Sequence, residues 1–267
     1  MTLSLAKVKR LPPKITIYAD GGVGKTTFGA MADSPIFIPT ENGLVAFPDV
    51  AQYPQAKTYE EFMGFITELA TQDHQFKTLV IDSVDWLEPL IFNKICRESN
   101  VKNIEDAAGG YGKGFSAALD IWREYYSALD YLNQEKNMAI VQIAHAQIKR
   151  YDNPETQGYD RINIKLQDGK STSAAALLFE WSDIVLYANY YVGITKEALP
   201  GSSKKNPKER VRAVGSGERV LHTQERPSFK AKSRWNLPEQ IPFDETGECW
   251  NVIKSAIPYY QTTTKGE

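Results

Sequence analysis

The chain has 267 residues, of which 42% are hydrophobic and 24% charged, and its formal net charge at pH 7 is -2. This composition is typical of a globular protein, and the charge excludes a molecule that binds nucleic acid through an overall basic field. No apolar run approaches the ~20 residues of a membrane span, and the N-terminus lacks the apolar core of a signal peptide. Two distant cysteines outside any CxxC pair favour free thiols, so we expect a cytoplasmic protein without a membrane partner.

The first half of the chain alternates between short apolar runs and segments of helical periodicity. Apolar runs predict strands at residues 14–18, 34–40, 77–82 and 138–146. Helices are predicted at residues 25–32, after a capping box formed by Thr58 and Glu61, at residues 86–97, and over a long stretch with Leu119, Trp122, Tyr126 and Leu129 on one side. This alternation is typical of an α/β fold, a mostly parallel sheet flanked by helices.

The second half of the chain has a different character. Residues 148–173 are polar without sustained periodicity, and residues 201–209 form a predicted charged loop. Residues 182–192 predict a strand, and the segments RVRAV and RVLHT predict two short antiparallel strands around the turn GSGE. A closing helix is expected within residues 245–260, ending near Pro258. We therefore expect a C-terminal antiparallel hairpin extension on one domain, residues 14–258, between a leader, 1–13, and a tail, 259–267.

The stretch ADGGVGKTT, residues 19–27, follows the first predicted strand and precedes a predicted helix. It fits the pattern [AG]-x4-G-K-[ST] of a phosphate-binding loop. Glycines let backbone N–H groups surround phosphate oxygens, the lysine reaches the β- and γ-phosphates, and the threonine hydroxyl can bind Mg²⁺. The predicted site for ATP and Mg²⁺ consists of Ala19, Asp20, Gly21, Gly22, Val23, Gly24, Lys25, Thr26 and Thr27.

Two acidic residues follow other predicted strands. Asp82 ends the buried run TLVID and is expected to bind Mg²⁺ together with Thr26. The next residue is Ser83, where many ATPases of this class have a glutamate, so the general base must come from elsewhere. We predict that Glu41, in the segment PTENGL after the second strand, polarises the attacking water. Asp85 is a weaker candidate for this role, and Glu41 as a solvated turn residue is the alternative.

The segments ADGGVGKTT, PTENGL and TLVIDS, in this order, resemble the RecA-type core. More closely, they resemble the phage nucleotide-binding proteins called Sak-four, which are minimal RecA-like single-strand annealing proteins. The resemblance covers about residues 15 to 242 and implies a RecA-like ATPase that binds single-stranded DNA and promotes annealing in phage recombination. It also implies a head-to-tail homo-oligomer, a single-strand-binding protein as partner, and a bacterial host cell.

Two later segments extend the resemblance. FKAKSRWNLP resembles the segment whose two cations cross a subunit interface to the neighbour's γ-phosphate, which implies this role for Lys232 and Arg234; a solvated basic edge is the alternative. In RecA-like proteins a polar residue at the end of the fourth core strand senses the γ-phosphate. His145 stands nearest that position here, with Gln142 and Gln147 close by, and a purely structural histidine is the alternative.

Two predicted loops combine basic and aromatic residues, as suits a single strand whose phosphates pair with cations and whose bases stack on rings. The first, GGYGKG, contains Tyr111 and Lys113. The second contains Tyr151 and Tyr159 and the cations Lys149, Arg150, Arg161, Lys165 and Lys170. A surface loop that contacts a protein partner is the alternative for both.

The same core could belong to a helicase-type or loader ATPase, to a P-loop nucleotide kinase, or to a scaffold gated by nucleotide without significant hydrolysis. An annealing protein should form multimers and respond to single-stranded DNA. A kinase should ignore DNA and be stimulated by a nucleotide acceptor.

Overall fold

A computed structural model describes residues 9–152, 157–198 and 209–263. The described strands are β1 (Lys14–Ala19), β2 (Pro35–Pro39), β3 (Thr78–Asp82), β4 (Ala139–Tyr151), β5 (Tyr159–Ile164), β6 (Ile184–Ala198), β7 (Glu209–His222), β8 (Lys232–Ser233) and β9 (Gln240–Pro242). The described α-helices are α1 (Lys25–Ala30), α2 (Tyr59–Thr71), α3 (Val84–Glu98), α4 (Lys113–Glu135), α5 (Ala174–Trp181), α6 (Glu248–Ala256) and α7 (Pro258–Thr263). Across these ranges, no helix combines the length and the apolar composition needed to cross a membrane.

The strands form one sheet in the order β2-β3-β4-β1-β6-β7-β9, with β5 paired to β4 and β8 paired to β6. The strands from β2 to β6 in this order run parallel, and β5, β7, β8 and β9 pair antiparallel. The predicted α/β fold, with a mostly parallel sheet and antiparallel strands at its C-terminal end, is therefore confirmed.

Both faces of the parallel sheet are covered by helices, which explains the nearly continuous burial of its strands. One face packs against α2, α3, α4 and α5, with Phe62 and Trp122 fully buried there. The other face packs against α1 and α6, where the rings of Phe28 and Trp250 stack with centroids 4.7 Å apart. The predicted cap of α2 by Thr58 is confirmed, since Thr58 Oγ1 accepts from the backbone N–H of Glu61 at 3.1 Å. The second half of the predicted capping box differs, because Glu61 Oε2 accepts from the backbone N–H of Lys57 at 2.8 Å.

The polar segment after residue 146 was expected to be a loop, and this expectation is wrong in part. Strand β4 continues to Tyr151, and its end pairs with β5 in an antiparallel hairpin from Ala146↔Ile164 to Tyr151↔Tyr159. Apolar alternation is weak here because polar Arg161 and Asn163 are buried in the hairpin while apolar Ile148 is exposed. His145 therefore lies within a strand, and the hairpin extends directly from it.

The C-terminal part also differs in detail from the predictions. RVRAV and the first four residues of RVLHT belong to the single strand β7. GSGE lies within this strand at an irregularity of the ladder, where Gly215 pairs with Val192 and Arg219 with Tyr190 of β6. Pro258 does not only end a helix: α6 ends at Ala256 and Pro258 begins α7, a position where a missing N–H costs nothing. Of the predicted charged loop, residues 201–208 lie outside the described residues.

Candidate nucleotide site

The carboxyl ends of β1, β2 and β3 meet at one edge of the parallel sheet, beside His145 in the middle of β4. Pro39 pairs with Asp82, and Ala19 pairs with His145. The phosphate-binding loop connects β1 to α1 at this edge. Ligands of open α/β sheets bind beyond the carboxyl ends of the strands, so a ligand site is expected at this edge.

The conformation of the loop requires its glycines. Gly22 and Gly24 have φ angles of 79° and 106°, in the left-handed region that side chains other than glycine disfavour. A Cβ atom on Gly24 would also lie 2.7 Å from Nη1 of Arg219. Lys25 begins α1, and its Nζ donates to the backbone oxygens of Ala19 at 3.2 Å and Asp20 at 2.9 Å. Burial lowers the pKa of Lys25, and nearby carboxylates oppose this effect.

Thr26 and Asp82 lie together, as a shared Mg²⁺ site requires. Thr26 Oγ1 donates to Asp82 Oδ2 at 2.8 Å. Burial raises the pKa of Asp82 to about 6; the hydrogen bond from Thr26 lowers it, and the charge of Glu41 adds to the increase. A bound cation would favour the ionised carboxylate, and both side chains offer the oxygen ligands that Mg²⁺ prefers.

The remaining ligands of such a cation would have to come from phosphate oxygens and water. Among the residues that the structure describes, no cluster of three or more His, Cys, Asp or Glu side chains could hold a metal ion by itself. Mg²⁺ characteristically uses one or two carboxylates or hydroxyls together with substrate phosphates. The pair of Thr26 and Asp82 fits a cation that arrives with the nucleotide.

Glu41 is held at the same edge by the turn that follows β3. Ser83 Oγ donates to Glu41 Oε1 at 3.0 Å. Ser83 is itself fixed by Thr40, because its backbone N–H donates to Thr40 Oγ1 at 2.8 Å and Thr40 Oγ1 donates to its carbonyl oxygen at 2.6 Å. These two hydrogen bonds join the ends of β2 and β3 and so orient Glu41 towards the loop. Its role as general base stays a prediction.

Most residues of the predicted nucleotide site line one cavity of about 330 Å³, but Ala19, Asp20 and Val23 do not. Its walls come from the loop, from the ends of β2 and β3, and from the middle of β4. The residues that line it are Gly21, Gly22, Gly24, Lys25, Thr26, Thr27, Glu41, Gly43, Phe47, Asp82 and His145. Gly43 and Phe47 were not predicted from the sequence. An anion bound here would meet a lysine, a hydroxyl and backbone groups within one small space.

Of the three polar residues considered as γ-phosphate sensor, only His145 lines this cavity. Gln142 points to the opposite face of the sheet, where its Oε1 accepts from the hydroxyl of Tyr125 at 2.6 Å. Gln147 Nε2 donates to the carbonyl of Ile164 at 2.9 Å within the β4–β5 hairpin. Side chains alternate between the faces of a strand, which separates His145 from Gln142.

Asp85, considered as a weaker general base, is instead bonded to His145. Its Oδ1 accepts from the backbone N–H of His145 at 3.0 Å, and its Oδ2 lies 2.9 Å from His145 Nδ1. Burial acts to raise the pKa of Asp85, but the hydrogen bonds from His145 outweigh it and hold this pKa below its usual value. A carboxylate whose two oxygens both contact His145 is poorly placed to accept a proton from water.

Two residues at the loop were not predicted from the sequence. Arg219 Nη1 donates to the carbonyl of Val23 at 3.4 Å, and the Tyr190 hydroxyl donates to the carbonyl of Gly22 at 3.2 Å. Tyr190 and Arg219 are partners across β6 and β7. No local signal could identify them, because Arg219 lies 196 residues from Val23 and Tyr190 lies 168 residues from Gly22.

Lys232 and Arg234 lie at the opposite end of the sheet. Strand β8 pairs with the start of β6, which in turn pairs with the start of β1, roughly 15 Å along the strand from the loop. Arg234 Nε lies 2.8 Å from Asp183 Oδ1, and Lys232 Nζ donates to the carbonyl of Glu180 at 3.3 Å. Neither cation is near the cavity of its own chain.

One of the six cations predicted to contact DNA is not available. The side chain of Arg161 is only 7% exposed, and its Nη2 donates to the carbonyls of Phe229 at 3.2 Å and Arg226 at 3.3 Å, while also pairing with Glu225. This guanidinium holds the hairpin to the segment before β8. The prediction that Arg161 contacts DNA is therefore corrected, because its guanidinium is buried and bonds to neighbouring residues of the fold.

The other five cations lie nearer to solvent. Lys149 is half-buried and pairs with Asp168 at 3.0 Å, and exposed Arg150 lies 3.8 Å from Asp160. Lys113 and Lys170 are exposed. Lys165 is 58% exposed. The carboxylates near Lys149 and Arg150 reduce the local positive charge.

Comparison with known proteins assigns the chain to a protein family. A family model described as an AAA domain matches residues 11–235. The chain belongs to the AAA domain family. With a lysine, a threonine and a strand-end aspartate arranged around its glycine loop, this AAA-domain protein is a P-loop NTPase.

A curated relative and a solved structure are also similar to this AAA-domain chain. The SPbeta prophage-derived uncharacterized protein YorG of Bacillus subtilis (strain 168) is 24% identical over 177 residues, which is 65% of this chain and 49% of that protein. The chain thus spans about half the length of this relative. The crystal structure of the RadB recombinase covers 89% of this chain and 90% of its own, with a TM-score of 0.44 and 13% identity.

Proposed function

We propose that the protein is an ATP-hydrolysing, RecA-like protein of the Sak-four type, which binds single-stranded DNA and promotes single-strand annealing in phage homologous recombination. Residues 14–258 would act as one ATPase domain in the cytoplasm of the bacterial host. The observation that carries this proposal is the gathering of Lys25, Thr26, Asp82, Glu41 and His145 around one cavity. The prophage origin in the name of the curated relative supports the phage context.

In the proposed hydrolysis each residue has a separate task. Thr26 and Asp82 would hold a Mg²⁺ ion, which would supply positive charge to offset that of the nucleotide's phosphates. Lys25 exchanges its bonds to the loop carbonyls for phosphate oxygens. Glu41, oriented by Ser83, accepts a proton from the attacking water, and His145 contacts the γ-phosphate.

Hydrolysis would depend on assembly because two cations lie at the far end of the sheet. In a head-to-tail homo-oligomer, Lys232 and Arg234 of one subunit can reach the γ-phosphate held by the next subunit. A cation supplied in this way offsets the charge that develops on the transferred phosphoryl group. The exposure of Arg234, 60% of its side chain, supports this role.

The single strand would bind along the β4–β5 hairpin and the start of α4. Arg150, Lys165, Lys170 and Lys113 offer cations, and Tyr151 offers an exposed ring that lies 5.4 Å from that of Tyr159. Cations that follow the phosphates and rings that stack on bases suit a strand of any sequence. A single-strand-binding protein that delivers such a strand is the proposed protein partner.

Steady-state hydrolysis of ATP with and without single-stranded DNA tests this proposal, with Lys25→Ala as the inactive control. We expect DNA to stimulate hydrolysis, and we expect Lys25→Ala to lose both the basal and the DNA-stimulated hydrolysis. The affinity for DNA should fall steeply with salt. Stimulation would make an annealing assay with complementary strands the next step. Hydrolysis that ignores DNA would contradict the proposal and favour a nucleotide kinase or a loader; activation by a nucleotide acceptor would identify the kinase.

A further inference from the structure

Asp85 is a buried carboxylate that faces two different surfaces of the molecule. Only 2% of its side chain is exposed, at the start of α3. Its Oδ2 lies 2.9 Å from His145 Nδ1, and the same oxygen lies 3.9 Å from Nζ of Lys165. One oxygen atom thus lies between a residue of the nucleotide cavity and an exposed lysine that follows β5.

On the nucleotide side, Asp85 determines how the imidazole is presented. Because Nδ1 of His145 faces the carboxylate, Nε2 is the ring nitrogen that remains for a ligand in the cavity. The second bond, from the backbone N–H of His145 to Asp85 Oδ1, fixes the position of the strand as well. A carboxylate that orients a histidine in this way is familiar from metal and catalytic sites, where it sets the ring's tautomer.

On the solvent side, Lys165 and Trp86 border the same space. The two residues line a second cavity, of about 390 Å³, between α3 and the β4–β5 hairpin. Trp86 is 49% exposed although it is large and apolar. An exposed indole and an ammonium group that line one cavity suit one nucleotide of a single strand, since the base can stack on the ring and the phosphate can pair with the cation.

Glu88 attaches the segment of Lys165 to α3. Both of its carboxylate oxygens accept from the backbone N–H of Gln167, at 2.9 and 3.0 Å. Burial raises the pKa of Glu88 to about 7, the bond from Gln167 lowers it, and the charge of Asp85 adds to the increase. A displacement of Lys165 is therefore confined to its side chain, because the backbone two residues later is fixed.

We propose that Trp86 and Lys165 form a contact point for one nucleotide of a single strand, and that Asp85 transmits its occupancy to His145 and so to the bound γ-phosphate. A strand phosphate that pairs with Lys165 withdraws the lysine from Asp85. The carboxylate then interacts with His145 alone, which holds the ring more firmly towards the cavity. Asp85 is a positioning residue in this scheme, which rests on the proposed binding of nucleotide and DNA.

Thermodynamic linkage tests this proposal through binding rather than turnover. The affinity for an oligo-dT strand is measured by fluorescence anisotropy with and without a non-hydrolysable ATP analogue, and the affinity for the analogue is measured with and without oligo-dT. In the wild type we expect each ligand to strengthen the other by the same factor, about tenfold, since coupling is reciprocal. In Asp85→Asn we expect this factor to fall to about one. The control Asp120→Asn, on an exposed site of α4, should keep it.

The contact point has its own readout. Trp86→Ala should weaken oligo-dT binding about tenfold, and Trp86→Phe should restore most of it, because a ring is retained. Lys165→Gln should reduce the coupling factor as Asp85→Asn does, measured at saturating oligo-dT. If Asp85→Asn does not fold, the Lys165→Gln result decides.

A failure of the proposed function can be distinguished from a failure of the coupling through Asp85 or of the contact point. A wild type that binds no single strand contradicts the proposed function itself. Full coupling in Asp85→Asn or in Lys165→Gln overturns the transmission through Asp85 while leaving the proposed function intact. Unchanged oligo-dT affinity in Trp86→Ala overturns the contact point.

Discussion

The two ends of the parallel sheet both combine cations with carboxylates, yet they differ in how these groups are arranged. At the carboxyl end, Lys25, Asp82 and Glu41 surround a cavity, and burial shifts the pKa values of Lys25 and Asp82 against their charged forms. At the amino end, Lys14 pairs with Asp130 at 3.0 Å and Arg234 with Asp183 at 2.8 Å. The first arrangement is suited to a charged ligand, whereas in the second each of these cations has a carboxylate partner in its own chain.

This difference has a consequence for hydrolysis. A sheet strand keeps its two ends apart, so no rearrangement of side chains can bring Arg234 to the nucleotide of its own subunit. If Arg234 acts in catalysis, it acts on a neighbour. Variants at the two ends should therefore behave differently when subunits are mixed.

The largest effect is expected from Glu41→Gln at the carboxyl end. The amide keeps the size and can still accept the bond from Ser83, but it cannot take a proton from water. We expect hydrolysis to fall by about 10²- to 10⁴-fold while the affinity for ATP is retained. Single-turnover hydrolysis and equilibrium binding of a fluorescent ATP analogue measure the two quantities. Glu68→Gln, an exposed site on α2, is the control, and full activity in Glu41→Gln would remove this residue from the mechanism.

Arg234→Ala tests the amino end, with the similarly exposed and paired Arg123→Ala as control. We expect hydrolysis at saturating protein to fall about 10²-fold and ATP binding by the monomer to persist, since the cation acts only across an interface. An equal mixture of Arg234→Ala and Glu41→Gln subunits should regain about a quarter of the wild-type rate, because one interface in four combines an intact base with an intact arginine. A mixture as inactive as its components would contradict a role across the interface.

Asp82→Asn tests the carboxyl end of the sheet through the free energy of unfolding. The pKa of Asp82 is raised from 3.8 to about 6, so ionisation above pH 6 disfavours the folded state, by about 3 kcal/mol at most. Without nucleotide or Mg²⁺, we expect the variant to be more stable by about 2 to 3 kcal/mol above pH 6. The advantage should shrink as the pH falls through 6 and vanish below about 4. Urea unfolding across this pH range measures it.

The same variant provides its own control at this end of the sheet. With excess Mg²⁺ and an ATP analogue, the wild type should gain stability and the variant should gain little, because an amide is a poor ligand for Mg²⁺. A variant that is less stable than the wild type at pH 8 without ligand would contradict the destabilising burial of Asp82.

Asp130→Asn should have the smallest effect and the opposite sign. This carboxylate pairs with Lys14 and accepts from Trp181 Nε1 at 3.1 Å, and about a third of its side chain is exposed. We expect a loss of about 0.5 to 1 kcal/mol at neutral pH, reduced by salt, since partly exposed ion pairs contribute little. Urea unfolding at low and high salt measures it. A gain in stability would remove the contrast between the two ends.

Much of the fold and part of the site could be predicted from local patterns. The alternation of apolar runs and helical segments gave the α/β architecture, and the capping box at Thr58 marked the start of α2. In the β4–β5 hairpin, polar Arg161 and Asn163 are buried and apolar Ile148 is exposed, so the apolar pattern could not distinguish a strand from a loop. The continuity of β7 through GSGE depended on its partner β6, which lies elsewhere in the sequence.

The sequence by itself determined the phosphate-binding loop, because its chemistry is contained within nine consecutive residues, 19–27, whose types and spacing are sufficient. Only the tertiary structure decided which distant side chains join it or are removed from it. Asp85 and His145 are 60 residues apart, Arg161 and Glu225 are 64 apart, and Arg219 and Val23 are 196 apart. Such pairs depend on strand order and register, which no local spacing encodes, and they decide whether a charge faces a ligand or is neutralised within the fold.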